Sequence, residues 1–151
     1  MPIKPTGQAA LNRAIDARAQ RIVRALVNVC TRAGEQVIAY ARDPERKRYT
    51  DQTGNLTSSI GYVVLWDGKV VKQSDFSPVS GARGTRGVNG TAEGRKFLRG
   101  IIKGNAEGLR LVVVAGMPYA AYVEALGLDV LDSAEVKAAE IVKRLARQLK
   151  F

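Results

Sequence analysis

The sequence contains no histidine and a single cysteine, Cys30, among 151 residues. Zinc sites built from cysteine and histidine, histidine general bases and an internal disulfide are therefore excluded. Apolar runs such as residues 111–115 are strand-sized, whereas a membrane-spanning helix needs about 20 apolar residues. Residues 1–5 lack the apolar stretch of a signal peptide. We expect a protein that has no membrane partner and is made or assembled in the cytoplasm.

Acidic residues are scarce relative to basic ones. The chain has 24 Lys and Arg against 14 Asp and Glu, a net charge of +10. The excess is concentrated in residues 1–50, which hold 10 basic and 4 acidic side chains. This balance favours attraction to nucleic acid, to anionic membranes or to an acidic protein surface. With 46% hydrophobic and 25% charged residues, the composition is typical of a globular protein, and we predict a single domain over residues 1–151.

Residues 8–42 have the pattern of one long amphipathic helix, preceded by a short arm at residues 1–7. The segment has no proline and one glycine, Gly34. Its apolar residues recur three, four or seven positions apart and fall on one side of the helix. The opposite side carries the arginines that we consider as partner contacts, Arg13, Arg18, Arg21, Arg24 and Arg32. They could form a solvated face or bind carboxylates or phosphates through forked hydrogen bonds.

A short helix and a hairpin are expected after the long helix. Asp51 or Thr53 could cap a short helix that directs Leu56 inward. The dipeptide Asp67-Gly68 is typical of a two-residue turn between antiparallel strands, because both positions need positive φ. Residues 109–115 read as a third strand, expected to be central in the sheet because its apolar run is unbroken.

A last helix is predicted to begin at Asp132, with Glu135 three residues later completing a capping box. Helices and strands then segregate along the chain instead of alternating. This order predicts an α+β fold, with a small antiparallel sheet packed by a long N-terminal helix and a C-terminal helix.

Residues 77–108 are predicted to form a long, flexible, basic, glycine-rich loop. Eight glycines alternate there with basic residues that include Arg83 and Arg86. A short helix near residues 94–102 is the one regular element that we expect in it. The segment could be a disordered surface excursion, or it could order against a neighbouring subunit at an exposed sheet edge.

No constellation of catalytic residues appears. Cys30 lies at the edge of the apolar stripe, where a buried structural thiol is expected. Glu124 and Asp129 are close in sequence, but they suit capping and solvation as well as acid–base chemistry. The glycines of the basic loop lack the Gly-Lys-Ser/Thr ending of a phosphate-binding loop. We therefore predict a protein that is not an enzyme, with no catalytic residues and no cofactor or metal site.

Two segments resemble a known family. Residues 49–60 read Tyr-Thr-Asp-Gln-Thr-Gly-Asn-Leu-Thr-Ser-Ser-Ile. They resemble the Thr-Gly-Asn-Leu-x-x-Ser-Ile signature that follows the long first helix in head–tail joining proteins of long-tailed bacteriophages, which are minor tail components also called tail-completion or neck proteins. Residues 118–124, Pro-Tyr-Ala-Ala-Tyr-Val-Glu, resemble a Pro-Tyr-Ala-x-Tyr-Val-Glu segment of the same family. The order of elements also matches over most of residues 8–150.

The resemblance implies a non-enzymatic virion protein in the neck, assembled in the host cytoplasm. It implies a homo-oligomeric ring, commonly of six subunits, between connector or head-closure proteins and the tail tube or tail terminator. The first motif would shape the start of the short helix and the sheet packing through Thr53, Gly54, Asn55 and Leu56. The second motif would lie near a subunit contact through Tyr119, Tyr122 and Glu124. The chain departs from the family after Glu124, where Ala-Leu-Gly replaces the usual Phe/His-Gly.

A second hypothesis comes from the charge alone. A small basic protein could bind nucleic acid non-specifically through the arginine side of the long helix and through the glycine-rich loop. Neither a helix-turn-helix pattern nor interleaved aromatic residues are present, so sequence-specific DNA binding is not predicted. In a neck ring the same arginines could face DNA in the lumen, where phosphate contacts tolerate sliding.

Overall fold

The computed structural model describes residues 6–84, 86–103 and 107–150, and the fold is α+β, as predicted. These residues form the following helices and strands: α1 Thr6–Ala41, α2 Asn55–Ser58, β1 Ile60–Trp66, β2 Lys69–Gln73, α3 Val88–Lys103, β3 Leu109–Ala115, α4 Ala120–Ala125 and α5 Asp132–Arg147. Of the predicted arm, residues 1–5 lie outside the described part, and Thr6 and Gly7 already belong to α1.

The three strands form an antiparallel sheet in the order β2-β1-β3. The predicted turn joins β1 to β2, with φ values of 48° at Asp67 and 79° at Gly68, the left-handed pair that this turn requires. The prediction that residues 109–115 form the central strand is wrong. β1 is central, because the tight hairpin places β2 on one side of it and β3 pairs along the other, from Ile60–Ala115 to Trp66–Leu109.

Helices cover both faces of the sheet. Alternate residues of β1 point to opposite faces, so Tyr62 and Val64 pack against α1 and α5, whereas Val63 and Leu65 pack with Leu98 of α3. All of these side chains are buried. β1 is therefore the centre of two apolar clusters, and α3 is required to complete the second.

The long helix is confirmed, and only part of it belongs to the core. Val29, Ala33 and Val37 are buried against the sheet and α5. Residues 7–21, which we call the free half of α1, are exposed at every position. At 1.5 Å per residue this free half is about 22 Å long. Gly34 does not interrupt the helix, and an added Cβ there would lie 2.5 Å from the ring of Tyr62.

The short helix predicted near residues 94–102 of the loop is present, but it is longer than predicted, because residues 88–103 form α3. The prediction of a loop is therefore wrong at residues 88–93 and at residue 103. The glycines of α3 allow this helix to pack closely against neighbouring segments. At Gly90 an added Cβ would overlap the backbone of Asn55, and at Gly94 it would lie 2.6 Å from the ring of Phe76. Glycine normally disfavours a helix interior, and tertiary contact outweighs that preference here. Residue 85 and residues 104–106 of the predicted loop lie outside the described part.

Candidate interaction surfaces

The first motif forms a capped turn. Thr57 donates its backbone N–H to Oδ2 of Asp51 at 2.7 Å, and Asn55 donates its own to Oγ1 of Thr53 at 3.3 Å. Both bonds satisfy amides at the start of α2, as the sequence predicted. Gly54 precedes the helix with a φ of 78°, and Leu56 is only 2% exposed. The motif is thus a structural turn with a buried anchor.

The segment between β2 and α3 lies across this turn. The side-chain oxygen of Asn55 accepts a hydrogen bond from the N–H of Gly90 at 3.0 Å, and the N–H of Arg83 bonds to the carbonyl of Gln52 at 2.9 Å. Gly87 packs so closely that an added Cβ would overlap Gly54. The side chains of Arg83 and Arg86 remain exposed at the surface of this segment.

The two motifs that carry the family resemblance meet in space. Ser59, at the end of the first motif, accepts N–H bonds from Gly116 at 3.1 Å and from Met117 at 3.2 Å, immediately before the second motif. Burial raises the pKa of Tyr119, the nearby charge of Asp51 raises it further, and a hydrogen bond with Thr53 opposes both effects. Segments about sixty positions apart in sequence therefore form one unit.

Glu124 of the second motif is engaged within its own chain. Its carboxylate accepts backbone N–H bonds from Val130 and Leu131 at 2.6 Å and from Asp132 at 2.9 Å. The capping box predicted for Asp132 and Glu135 is wrong, because α5 begins without a side-chain cap of that kind. The carboxylate of Glu124 accepts hydrogen bonds from the N–H groups at the start of α5 instead. It therefore fixes the link between α4 and α5.

Arg46 is a structural residue that the sequence reasoning missed. Its guanidinium donates to the carbonyls of Tyr40 at 2.8 Å and Ala41 at 3.0 Å, the last ones of α1, and to Oδ2 of Asp129 at 2.9 Å. Asp129 also accepts hydrogen bonds from the side chain and backbone of Ser133. The group ties the end of α1 to the start of α5. The one signal in the sequence was that Arg46 lies in a charged segment, residues 43–48, directly after the long helix.

The arginines of α1 lie at the surface, as predicted for either a solvated or a binding face. The five arginines named from the sequence are all exposed. Arg13 and Arg24 hydrogen-bond to carbonyls one turn back in the same helix. Arg18 and Arg21 line a cleft of about 290 Å³ together with Lys150 from the chain's C-terminal end. This cleft is the most concentrated positive feature that the free half of α1 presents.

An apolar groove lies between α3, the end of β3 and α4. It has a volume of about 620 Å³, and its lining includes Phe97, Ile101, Met117 and Ala121. Phe97 is 50% exposed, and the neighbouring Tyr122 of the second motif is 67% exposed. The sequence did not indicate this groove, because it forms only where α3, β3 and α4 meet.

Cys30 is half-buried, and burial raises the pKa of its thiol, so it is a poor nucleophile. No group of three His, Cys, Asp or Glu residues suited to hold a metal occurs within residues 6–84, 86–103 and 107–150. In the same part of the chain, no helix is both long and apolar enough to cross a membrane.

Comparison of the chain with protein-family models, with curated proteins and with solved structures gives no match.

Proposed function

We propose that this chain is a non-enzymatic structural protein of a bacteriophage neck, which joins the capsid connector to the tail as a homo-oligomeric ring. The observation that carries the proposal is the contact between the two motifs. Gly116 and Met117, which directly precede the second motif, donate to Ser59 of the first, and Tyr119 of the second motif hydrogen-bonds with Thr53 of the first. The segments in which the chain resembles head–tail joining proteins therefore lie together.

The distribution of surfaces also favours assembly over catalysis. The free half of α1 is exposed on all sides, and an apolar groove opens between α3 and α4. Exposed apolar surface that is rimmed by polar residues is typical of protein–protein contact sites. Connector or head-closure proteins and the tail tube or tail terminator are the partners that we propose, with the virion neck as the location.

The experiment is an add-back assay with a phage that carries this gene. Deleting the gene should leave filled capsids and separate tails in electron micrographs, and the purified protein should restore joined, infectious particles in the lysate. A deletion phage whose heads and tails still join would contradict the proposal.

Two matched variants sharpen this assay. Tyr122→Ser removes an aromatic ring that is 67% exposed in the second motif, and Val71→Ser changes a side chain that is 46% exposed on β2. We expect the first variant to lose joining activity and the second to keep it, with both proteins folded. Equal activity of the two variants would show that the second motif is not part of the proposed subunit or partner contact.

The basic cleft supports a second candidate function, non-specific binding of nucleic acid. Arg18, Arg21 and Lys150 line one concave site, and phosphate is the ligand class that such a site attracts. Tight DNA binding at about 0.15 M salt that weakens steeply as salt rises would favour this function. If Arg18→Ala/Arg21→Ala loses DNA binding and retains joining activity, nucleic-acid binding and head–tail joining are separate functions.

A further inference from the structure

We propose that the free half of α1 from one copy docks into the groove along β3 of a second copy, and that this contact builds the ring. The inference rests on the proposed function, and it names the two surfaces that meet. The occupant of the groove is therefore a helix of this same chain.

The free half of α1 carries apolar side chains without a partner. Leu11 is 58% exposed and Ile15 is 56% exposed. Residues four positions apart lie on the same face of a helix, so these two form a short apolar stripe that continues the buried stripe of α1. Such a stripe on a free helix is typical of a segment that binds a groove.

The groove extends along β3. Its main cavity, described above, shares Phe97 and Ile101 with a second cavity of about 270 Å³. The second cavity shares Val113 and Leu131 with a third cavity, whose lining includes Asp132 and Glu135. β3 is an edge strand of the sheet. Seven residues at about 3.3 Å each make β3 about 23 Å long, which matches the length of about 22 Å of the free half.

The charges of the two surfaces are complementary. The free half carries Arg13, Arg18 and Arg21 against one acidic residue, Asp16. The lining of the groove includes Glu93, Glu124, Asp132 and Glu135, with Lys96 at its α3 end.

The carboxylates at the acidic end of the groove repel one another. The charge of Glu124 raises the pKa of Asp132, and burial and the charges of Asp129 and Glu135 add to this. Mutual repulsion of carboxylates is relieved when a cation comes between them. Arginines brought by a docking helix would therefore favour this end of the groove.

The contact would join unlike surfaces, a helix of one copy and a groove of the next. A heterologous contact of this kind generates a closed ring when its rotation closes. This agrees with the assembly proposed for the neck.

A disulfide test can identify the occupant, because Cys30 is the only cysteine of the chain. Two proteins are made in a Cys30→Ala background, one with Ile15→Cys and one with Ala121→Cys, both at exposed positions. Mixed in a glutathione redox buffer, they should form a mixed-disulfide dimer on a non-reducing gel. Ile15→Cys mixed with Lys72→Cys, an exposed position on β2 at the opposite sheet edge, is the control and should remain monomeric on the gel.

A charge exchange tests the same contact in solution by light scattering. Arg18→Glu alters the helix beside the apolar stripe, because Arg18 lies three positions after Ile15 and seven after Leu11. Asp132→Lys/Glu135→Lys alters the groove. Each variant alone should associate at least about tenfold more weakly than the wild type, because like charges then face each other. An equimolar mixture should regain the wild-type mass, since each helix then meets a groove of opposite charge.

Three outcomes would overturn the inference: wild type that stays monomeric up to about 0.5 mM, variants that assemble like the wild type, or a linked Ile15→Cys homodimer in place of the mixed one. The last outcome would mean that two free halves pair with each other. Head–tail joining in the add-back assay would leave the proposed function intact in each case. Charge-dependent assembly without any joining activity would refute the function and keep the contact.

Discussion

At the residue scale, carboxylates that bond to backbone amides hold the connections of this fold. Asp51 caps the first motif, Glu124 holds three amides before α5, and Asp129 joins Ser133 to Arg46. The sequence pointed to Asp51, because it stands next to a short helical pattern. Local patterns did not predict the role of Glu124, since the N–H groups that donate to its carboxylate belong to residues six to eight positions later.

Glu124→Ala should destabilise the protein. The substitution leaves the N–H groups of Val130, Leu131 and Asp132 without their acceptor, and the loss should be about 1–3 kcal/mol of unfolding free energy. Urea denaturation checks this value. Glu140→Ala, at an exposed position later in α5, is the control and should stay within about 0.5 kcal/mol of wild type. Similar midpoints for the two variants would mean that Glu124 does not hold the α4–α5 link.

Leu56→Asp should be more damaging, because it places a carboxylate where a side chain is 2% exposed. Leu126→Asp makes the same chemical change where the side chain is 56% exposed. We expect a melting temperature lowered by more than about 10 °C, or loss of folding, for the first variant alone. An unchanged melting temperature in Leu56→Asp would show that the first motif has no buried anchor.

At the element scale, periodicity predicted α1 well and α3 poorly. The apolar stripe of α1 repeats over about eight turns, from Leu11 to Tyr40, so its helical period is clear. α3 contains three glycines, Gly90, Gly94 and Gly100, which lower helix propensity and favour reading the segment as loop. The backbone of Asn55 leaves no space for a Cβ at Gly90, and the ring of Phe76 leaves none at Gly94. Tertiary packing requires glycine at these two positions, and local helix propensity does not predict this requirement.

The glycines of α3 supply a matched pair of substitutions. At Gly100 an added Cβ meets nothing within 4 Å, so Gly100→Ala should stabilise the protein by about 0.5–1 kcal/mol through helix propensity. At Gly90 the same methyl group would overlap the backbone of Asn55, so Gly90→Ala should destabilise by more than about 1 kcal/mol. Thermal unfolding of both variants measures the contrast. Stabilisation by Gly90→Ala would contradict the close seating of α3 on the first motif.

At the scale of the whole molecule, the central strand β1 is enclosed between α1 with α5 on one face and α3 on the other. The ion pair of Arg46 with Asp129 connects the ends of the two helices on the first face. Burial alone would raise the pKa of Asp129, but hydrogen bonds from Ser133 and the charges of Arg46 and Arg48 outweigh it and lower the pKa. The folded state therefore favours the ionised form of this carboxyl.

The stability of the molecule should depend on pH through this group. A carboxyl whose pKa is lower in the folded than in the unfolded state adds stability that is complete above the unfolded pKa, near 3.9, and is lost as pH falls through the folded pKa. Asp129→Asn suits the test, because asparagine also tolerates the φ of 53° at this position. The difference in urea midpoint between wild type and Asp129→Asn should be constant from about pH 7 to 5 and shrink below about pH 4.

The control for this pH series is Asp16→Asn, a change on the free half of α1, which should leave the midpoint near that of wild type at neutral pH. A difference for Asp129→Asn that stays constant down to pH 2 would contradict the assigned linkage.

The sequence alone determined what depends on neighbouring residues: the helical period of α1, the turn at Asp67-Gly68, the cap at Asp51 and the α+β class. Only the tertiary structure decided the central place of β1, the full length of α3, the role of Glu124 and the groove along β3. Each of these depends on contacts between segments that are distant in the chain or on space that a missing side chain leaves open. Local periodicity and propensity do not predict such contacts, because the free energy of a contact arises only when the two elements meet.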